Sequence, residues 1–468
     1  MPHFYNTVQE GRSMATNSTI RLLLEDFHRS VLPTIARELV PRDLSLGSIP
    51  RPKIGSTAKV IVGMRRSGKT FRLYQEMLRL LDNGVAPENI CYLNFDDDRL
   101  RPYNDASISQ AIEVFYELHP QSRSDGAYLF FDEIQEVPNW GIVARRILDT
   151  EKVALYVTGS SSKLLSENVA TEFRGRSVAY ELLPYSFREF LRARDLEPSE
   201  RDLYDKECVS AVKNAFGRYL KCGGFPAVQD MDDPERIQAL QGYAQLTVAR
   251  DIVERNGFSN AAYARNLARA AITSSARDVS ISRLDNKGRS SGYSPGRAKI
   301  VEMLDAFEDA HLVYQAYDFS YSAQKVRLGG MKLYAADPGL YWASIPAADE
   351  GHTFSLETAV YLELRRRRTA GRLGDIAMLK LASGREVDFV EGDASTESAT
   401  RLVQASWSTE SEKTREREIR ALREALERFP SAQATIVAVD EEDTVETPEG
   451  NIAIVPAWKW FLEAPGNN

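Results

Sequence analysis

The stretch GMRRSGKT, residues 63–70, carries a glycine, four intervening residues and then Gly-Lys-Thr. The run before it, AKVIVG at 58–63, is apolar and rich in β-branched residues, which is typical of a buried strand. The segment after it, FRLYQEMLRLLDNG at 71–84, repeats leucine and methionine at helical spacing and ends at a glycine. A phosphate-binding loop requires a strand, a glycine-rich loop and a helix in this order. The stretch therefore predicts an α/β domain with an ATP or GTP site.

Each part of this loop has a physical role toward phosphate. Backbone N–H groups of the loop and of the following helix surround phosphate oxygens. Lys69 is predicted to reach the β- and γ-phosphates, and the Thr70 hydroxyl to bind Mg²⁺. The predicted nucleotide-binding residues of the loop are Gly63, Met64, Arg65, Arg66, Ser67, Gly68, Lys69 and Thr70.

Two later apolar runs end in residues suited to the same site. AYLFFDEIQEVPNW, residues 127–140, places Asp132 and Glu133 at the end of a strand. Asp132 is predicted to hold Mg²⁺ through water, and Glu133 to orient the attacking water as a general base. VALYVTGSSS, residues 153–162, ends in Thr158 and Ser160, which are candidates for sensing the γ-phosphate. The alternatives are a strand that ends in solvated acids and an ordinary strand-to-helix turn.

Composition limits the class of protein. The chain has 468 residues, of which 43% are hydrophobic and 27% charged, as expected for a globular protein of three or more domains. Its net charge of −8 means that nucleic-acid contact must come from a local patch. Its three cysteines lie far apart, which argues against zinc and against a disulfide framework. No apolar run reaches membrane-spanning length, and the first residues lack a signal-peptide apolar region. We therefore expect a cytoplasmic protein without membrane contact.

The order of motifs along the chain resembles one family, the bacterial and archaeal AAA-type ATPases with a carboxy-terminal domain of unknown function. The resemblance implies ATP as the nucleotide, an AAA-type core, a helical region, a winged-helix module and a restriction-endonuclease-like domain. Paired arginines in the loop are common in this family, and Arg65 and Arg66 are open to two roles, positive potential beside the phosphates or contact with a partner subunit. The motifs that carry the resemblance are GMRRSGKT, ICYLNFDDDRL, LFFDEIQEVPNW, LYVTGSSSKLLS, FRGRSVAYELLPYSFREFL, YLKCGGFPAV, RDIVERNGFSN, KLYAADPGLYWA, ETAVYLELRRR, REVDFV and IVPAWKWFLE.

The predicted fold class is α/β, with several domains along the chain. Helices are expected over 191–262, with breaks at Gly223-Gly224 and at Gly257. The predicted domains are an N-terminal helical segment at 1–50, a P-loop ATPase core at 51–190, a helical lid at 191–262, a winged-helix module at 263–345 and a degenerate endonuclease-like domain at 346–468.

An AAA-type site is usually completed by an arginine from a neighbouring subunit, which neutralises charge on the transferring phosphoryl group. The resemblance therefore implies a homo-oligomer, with a hexameric ring as one form. The predicted catalytic residues are Lys69, Glu133, Arg174 and Arg176. Arg99 is a weaker candidate, and the alternative for each arginine is a surface loop or a local ion pair. Arg255 stands four residues after Asp251, so an ion pair along a helix is expected there, with nucleotide sensing as the second interpretation.

Residues 263–334 form a basic segment in an acidic chain, with 11 lysine and arginine residues against 7 aspartate and glutamate residues. Helices are predicted at about 267–275 and 297–310, followed by two tyrosine-rich strands joined by a turn. This pattern is typical of a helix-turn-helix with a wing. DNA is therefore a predicted partner, and the alternative is a winged helix that only packs against protein. The predicted phosphate contacts are Arg283, Lys287, Arg289, Arg297, Lys299, Lys325 and Arg327.

The last domain lacks side chains that a working nuclease needs. Restriction-like nucleases hold a divalent metal between two acids, and a lysine two residues after the second acid polarises the attacking water. Glu357 and Asp388 stand at acidic positions, but Gln404 and Ser406 replace the second acid and the lysine of the next strand. We therefore do not expect nuclease activity.

Together these features predict a Mg²⁺-dependent AAA-type ATPase that is oligomeric and coupled to DNA binding or remodelling. Two alternatives stay open. One is an ATP-regulated, metal-dependent nuclease, which needs an acid and a base that the motif does not supply. The other is an ATP-dependent signalling or assembly switch that acts without DNA.

Overall fold

The computed structural model describes residues 16–160, 173, 175–290, 296–320, 330–345, 351–369 and 374–463, without the side chains of 287, 290 and 369. The chain divides into two compact units. The first is Met1–Gly63 with Gly68–Leu182, and the second is Met64–Ser67 with Leu183–Asn468. Four residues of the loop quoted above therefore cluster with the second unit. The predicted boundaries of five domains stay a prediction. No helix in the described residues is long and apolar enough to cross a membrane.

The first unit contains a five-stranded β-sheet in the order β2-β3-β4-β1-β5. Its strands are β1 (Ala58–Val62), β2 (Ile90–Asn94), β3 (Ala127–Asp132), β4 (Val153–Gly159) and β5 (Ser177–Glu181). All neighbouring strands run parallel. Strands β1, β3 and β4 are buried along their whole length, as expected for a parallel sheet covered on both faces. The predicted α/β class is confirmed, and the sheet is typical of a P-loop ATPase core.

The helices of the first unit include the one predicted after the loop. They are α1 (Asn17–Asp26), a π-helical turn (Phe27–Val31), α2 (Leu32–Ile35), α3 (Lys69–Asp82), α4 (Ser107–Leu118), α5 (Gln121–Asp125) and α6 (Trp140–Thr150). Helix α3 buries Leu73, Met77 and Leu80 at the predicted spacing. Because the strands are parallel, the carboxyl ends of β1, β3 and β4 meet at one edge of the sheet, and the predicted site residues follow those ends.

The second unit continues with helices and a small antiparallel sheet of order β6-β8-β7. Its elements up to residue 345 are α7 (Phe187–Arg192), α8 (Lys206–Cys222), α9 (Asp233–Thr247), a π-helix (Val248–Glu254), α10 (Ala261–Thr273), β6 (Arg277–Val279), α11 (Ile281–Ser290), α12 (Arg297–Asp309), β7 (Val313–Tyr317), β8 (Met331–Ala335) and α13 (Pro338–Ser344). The helical spacing in the sequence predicts α10 and α12, whereas β6 and α11 have no clear signal in the sequence. Helix α11, ISRLDNKGRS, is mostly polar and contains a glycine, so its sequence is a weak helix signal.

The last part of the second unit is a mixed sheet of six strands in the order β13-β14-β12-β11-β10-β9. Its elements are α14 (His352–Thr369), β9 (Asp375–Lys380), β10 (Glu386–Asp393), β11 (Ser398–Ser406), α15 (Glu412–Arg428), β12 (Gln433–Ala438), β13 (Asp443–Thr447), β14 (Gly450–Pro456) and α16 (Ala457–Trp460). Strands β11, β12 and β14 run parallel, and the outer pairs are antiparallel. One core packs α15 against this sheet.

The glycine pair after α8 fits closely around a buried carboxylate. Helix α8 ends at Cys222, at the predicted break, and Gly223 has a positive φ of 72°, which favours glycine. The N–H groups of Gly224 and Gly339 donate to the carboxylate oxygens of Asp337 at 2.6 and 2.8 Å. A side chain on Gly223 would overlap one of these oxygens.

Gly223→Ala is therefore expected to lower the free energy of unfolding by about 3 kcal/mol or more, through the strain of a positive φ on alanine and the disturbed buried hydrogen bonds. The matched control is Gly217→Ala within α8, where an added methyl group meets nothing within 4 Å. This control should stabilise the protein by about 0.5–1 kcal/mol, because alanine favours helix. Urea unfolding of both variants measures the difference, and equal midpoints would contradict the tight packing at Gly223.

Candidate nucleotide-binding site

The loop between β1 and α3 has the backbone of a phosphate cradle. Gly63, Arg66 and Gly68 have positive φ values of 155°, 68° and 100°. Helix α3 begins at Lys69, directly after Gly68, so the N–H groups of its first turn lie at the end of the loop. The Lys69 ammonium donates to the Gly63 carbonyl at 3.1 Å. The loop thus places N–H groups and a lysine together, as phosphate binding requires.

The buried carboxylate of Asp132 lies beside the first turn of α3. The Thr70 hydroxyl donates to one Asp132 oxygen at 2.6 Å, and the Thr158 hydroxyl donates to the other. Burial, and then the neighbouring charge of Glu133, raises the pKa of Asp132, while the hydrogen bonds from Thr158 and Thr70 oppose this shift. A hydroxyl and a carboxylate in contact are the oxygen ligands that Mg²⁺ takes in P-loop sites. Thr70 and Asp132 therefore fit the predicted metal site.

Glu133 has an unusual backbone conformation and reaches the same place. Its φ is 49°, in the left-handed region that few residues other than glycine adopt, and such strain clusters at functional sites. Its N–H donates to the Thr158 hydroxyl at 3.0 Å. One carboxylate oxygen lies 3.5 Å from the Lys69 ammonium, and the other accepts from the Gln135 amide at 2.5 Å. The structure thus joins Glu133 to Lys69.

Gln135 was not among the predicted site residues. Its position two residues after Glu133, in the turn that follows β3, is the only sequence signal for it. A polar residue in a turn is common, so this signal is weak. The contact with Glu133 becomes visible only through the short helical turn Ile134–Glu136.

The other predicted residues of this site lie in different surroundings. Thr158 contacts Asp132 and the Glu133 backbone, and Ser160 is buried at the end of β4. Arg176 pairs with Asp149 at 2.6 Å. Arg99 pairs with Asp97 at 2.6 Å. Arg174 lies outside the described residues. The catalytic and sensing roles assigned to these residues stay predictions.

The adjacent loop arginines contact side chains within the second unit. Arg65 pairs with Asp251 at 2.6 Å, and the Arg66 guanidinium lies over the ring of Tyr243. Arg255 pairs with the same Asp251 at 3.3 Å, which is the helical ion pair expected from their spacing. Neither of the two roles that the sequence left open for Arg65 and Arg66 includes these contacts.

Two of the predicted DNA contacts are exposed arginines without an ion pair in the part of the chain that the structure describes. These are Arg283 and Arg297. Arg289 pairs with Asp285 at 2.9 Å, and Lys299 pairs with Glu302 at 2.9 Å. Lys325 and Arg327 lie outside the described residues, and the side chain of Lys287 is not described. Among the predicted phosphate contacts whose side chains are described, Arg283 and Arg297 are therefore the two without an ion pair.

A second cluster of charges surrounds a buried lysine, Lys332, which was not among the predicted site residues. The ammonium of Lys332, on β8, lies 3.0 Å from Glu357, 2.6 Å from Glu386 and 3.1 Å from Asp388. Burial alone would lower the pKa of Lys332, but Asp388, Glu357 and Glu386 together raise it above its usual value. Burial, and then the charge of Asp388, raises the pKa of Glu357 to about 8, and burial also raises the pKa of Glu386.

The cluster changes the picture of the nuclease-like motif. A lysine, Lys332, and a third carboxylate, Glu386, lie in one cluster with Glu357 and Asp388. Neither Lys332 nor Glu386 stands on the strand where the motif places its second acid and its lysine. Gln404 accepts the Asp388 N–H at 2.6 Å and donates to Glu418 at 2.6 Å. Among the described residues, no group of three or more histidine, cysteine, aspartate or glutamate side chains is arranged to hold a metal ion. Lys332 therefore balances the carboxylates of this cluster.

Lys332→Met is expected to lower the free energy of unfolding by about 3–5 kcal/mol at about pH 8, because it leaves buried carboxylates unpaired. Part of the lost stability should be recovered at about pH 5. The folded-state pKa of Glu357 is raised from 4.5 to about 8, so the folded state binds this proton more tightly and loses stability as pH rises through that range. Glu386 acts in the same direction. Denaturant unfolding at both pH values measures this.

The matched control is Lys380→Met. The ammonium of Lys380 lies 3.3 Å from Asp278, and both side chains are exposed. Exposed pairs contribute about 0–1 kcal/mol, so the control should unfold almost as the wild type does at either pH. Equal stability of Lys332→Met and Lys380→Met would contradict the role given to Lys332.

Comparisons with known proteins identify two domains along the chain. The family model described as an AAA domain matches residues 55–191, and a domain of unknown function, DUF8612, matches residues 213–350. The Walker-type ATPase of Pyrococcus abyssi is 14% identical, with a TM-score of 0.38, over 71% of this chain and 98% of that one. Nothing further follows from a structural likeness this low.

Two uncharacterized proteins are similar over most of the chain. Protein MJ1544 of Methanocaldococcus jannaschii is 32% identical over 435 residues, which are 91% of each chain. A protein of Haemophilus influenzae is 30% identical over 356 residues, which are 76% of this chain and 84% of that one. The chain therefore belongs to one family with these archaeal and bacterial proteins, and its residues 55–191 match an AAA domain.

Proposed function

We propose that this protein is a Mg²⁺-dependent ATPase whose hydrolysis site lies at the carboxyl ends of β1 and β3. One observation carries the proposal: Lys69, Thr70, Asp132 and Glu133 come together there through contacts of 2.6 to 3.5 Å. These four residue types serve phosphate binding, metal binding and activation of water in P-loop ATPases.

Each side chain has a distinct task in this proposal. Lys69 binds the β- and γ-phosphates, and Thr70 and Asp132 would hold Mg²⁺. The bound metal supplies positive charge that neutralises the phosphate oxygens. Glu133 orients the attacking water and accepts its proton. Because the Lys69 ammonium lies 3.5 Å from Glu133, a phosphate that binds Lys69 competes with that carboxylate and frees it to bind water.

Calorimetric titration with ATP and Mg²⁺ tests the binding step. The wild type should bind ATP, and Lys69→Ala should lose binding because its contact with the β- and γ-phosphates is gone. The matched control is Lys152→Ala, since Lys152 is partly exposed and its ammonium donates only to the Ser124 carbonyl among the described residues. Equal ATP affinity in the wild type and in Lys69→Ala would contradict the proposed site.

We further propose that the basic segment contacts DNA as a winged helix. The order of α10, β6, α11, α12, β7 and β8 is helix, strand, helix, helix, strand, strand, which supports this assignment. Arg283 at the start of α11 and Arg297 at the start of α12 are exposed and free of ion pairs in the described part of the chain. Free cations can neutralise phosphates without first breaking a pair.

Replacing Arg283 and Arg297 together with alanine should weaken binding to all DNA sequences alike. The slope of the logarithm of affinity against the logarithm of salt concentration should fall by about two, one for each lost phosphate contact. The control is Arg289→Ala, whose guanidinium already pairs with Asp285. Fluorescence anisotropy over a salt series measures this. If the protein binds no DNA even at low salt, the basic segment is a winged helix that only packs against protein.

For the carboxy-terminal domain we propose a restriction-endonuclease-like fold that does not cleave DNA. The sequence of α14, the strands β9–β11, α15 and β12 supports the fold, and the ammonium of Lys332 among the carboxylates supports the loss of metal chemistry. Incubation with plasmid DNA and Mn²⁺ tests this. Cleavage of the plasmid that disappears in Asp388→Ala would favour the nuclease alternative. In a separate assay, slow ATP turnover that DNA does not change would favour the signalling or assembly switch.

A further inference from the structure

A buried carboxylate holds the first of the two loop arginines. The Nε and Nη2 atoms of Arg65 donate to the two oxygens of Asp251 at 2.6 and 3.1 Å, which is the bidentate geometry of a strong charge-assisted pair. The Asp251 side chain is 0% exposed and that of Arg65 is 19% exposed. Both residues belong to the second unit. A pair so shielded from water is costly to break, because either partner would remain as an unpaired charge.

The second loop arginine is held by an aromatic ring. The Arg66 guanidinium lies 4.2 Å from the centre of the Tyr243 ring, within the range of a cation–π contact. Arg66 has a φ of 68°, which is unfavourable for a residue with a side chain and persists only when its surroundings hold it. Tyr243 is itself buried, and its ring packs edge-on against Phe225 at 5.5 Å. The ring is therefore a fixed support.

The segment that carries Asp251 also has an unusual backbone. Asp251 lies in the π-helix Val248–Glu254 that continues α9, and π-helical turns occur often at functional sites. Arg255 also pairs with Asp251 at 3.3 Å. Two guanidinium groups thus share one carboxylate.

We propose that Asp251 and Tyr243 are positioning residues for the phosphate-binding loop. They hold Arg65 and Arg66, and through these side chains they fix the backbone of residues 64–67. This inference rests on the proposed function and takes the N–H groups of that backbone as the phosphate cradle of the ATP site. A loop that is not held must be ordered at each binding event, which weakens affinity. Chemistry at Glu133 is unaffected once ATP is bound, so the KM for ATP rises while kcat stays.

The experiment measures the Kd and KM for ATP, together with kcat, in single and double variants. Asp251→Asn keeps the shape of the side chain but removes the charge, and it should raise both Kd and KM about 10-fold or more. Arg65→Gln should have the same effect. The double variant should bind no more weakly than the weaker single variant, because both changes break one interaction. If Arg65 instead touches phosphate directly, Asp251→Asn binds ATP at least as tightly as the wild type.

A second pair of variants keeps the test decisive if a charge variant fails to fold. Tyr243→Leu removes the ring face below Arg66 and should weaken ATP binding, while the conservative Tyr243→Phe should restore it. The matched control on the same π-helix is Arg250→Gln, whose exposed guanidinium pairs with exposed Glu254. Thermal melting without ATP identifies unfolded variants. If Asp251 and Tyr243 only stabilise the fold, their variants should melt at a lower temperature, but the KM should not rise while kcat stays constant.

The outcomes separate this inference from the proposed function. A wild type that does not bind ATP overturns both. A wild type that binds, with binding lost in Lys69→Ala but retained in Asp251→Asn and Tyr243→Leu, overturns only the positioning role. The positioning role is supported if Asp251→Asn and Tyr243→Leu bind ATP weakly but keep the kcat of the wild type. Arg250→Gln should then bind and hydrolyse ATP as the wild type does.

Discussion

Replacing Glu133 with glutamine is expected to lower kcat for ATP hydrolysis by about 10²–10⁴-fold while ATP still binds. The amide has nearly the shape of the carboxylate, but it cannot accept the proton of the attacking water. Lys69 keeps its phosphate contacts, so the Kd for ATP should stay close to that of the wild type. Release of inorganic phosphate measures turnover, and calorimetry measures binding.

Glu136→Gln is the matched control for this change. Glu136 lies three residues after Glu133 and pairs with Arg101 at 2.9 Å, outside the cluster around Lys69. It should hydrolyse ATP as the wild type does. Turnover by Glu133→Gln at the rate of this control would show that another group activates the water.

Removing Arg174 or Arg176 is expected to reduce ATP turnover by about 10³-fold or more with little change in ATP binding, if either arginine acts on a neighbouring subunit's nucleotide. Arg176 pairs with Asp149 within the chain, but both side chains are partly exposed, at 28% and 49%. Such a pair is worth about 0–1 kcal/mol, so it does not prevent Arg176 from binding a phosphate of another subunit.

Mixing two inactive proteins tests the shared site. Arg176→Ala supplies an intact phosphate loop, and Lys69→Ala supplies an intact arginine, so the mixture should recover part of the activity that neither protein has alone. Arg123→Ala is the control, because Arg123 pairs with Glu113 at 2.8 Å and is not a candidate for binding phosphate. No recovery in the mixture, in a protein that stays monomeric with ATP, would exclude an arginine acting between subunits.

Local signals made the core of the nucleotide site predictable. The spacing of Leu73, Met77 and Leu80 predicted α3, and the structure confirms it. The structure also joins Asp132 to Thr70, as expected from two parallel strands that end at the same edge. These features depend on short stretches of sequence, where periodicity and glycine placement decide the backbone.

The partners of the loop arginines could not be predicted, because they are distant in the sequence. Arg65 and Asp251 are 186 residues apart, and spacing along a helix explained only the pair between Asp251 and Arg255. Lys332 was missed for the same reason, since it stands 56 residues before Asp388 and outside the expected motif. Such contacts depend on how separate elements pack, and no local pattern reports that.

Release of phosphate from ATP by the wild type and by Lys69→Ala, at saturating Mg²⁺, tests the central claim most directly. We expect the wild type to release phosphate at a rate that saturates with ATP. Lys69→Ala should release none above background, because the lysine that binds the β- and γ-phosphates is gone. A wild type that releases no phosphate, or a Lys69→Ala protein that releases it at the same rate, would contradict the claim that residues 63–70 form the ATP site.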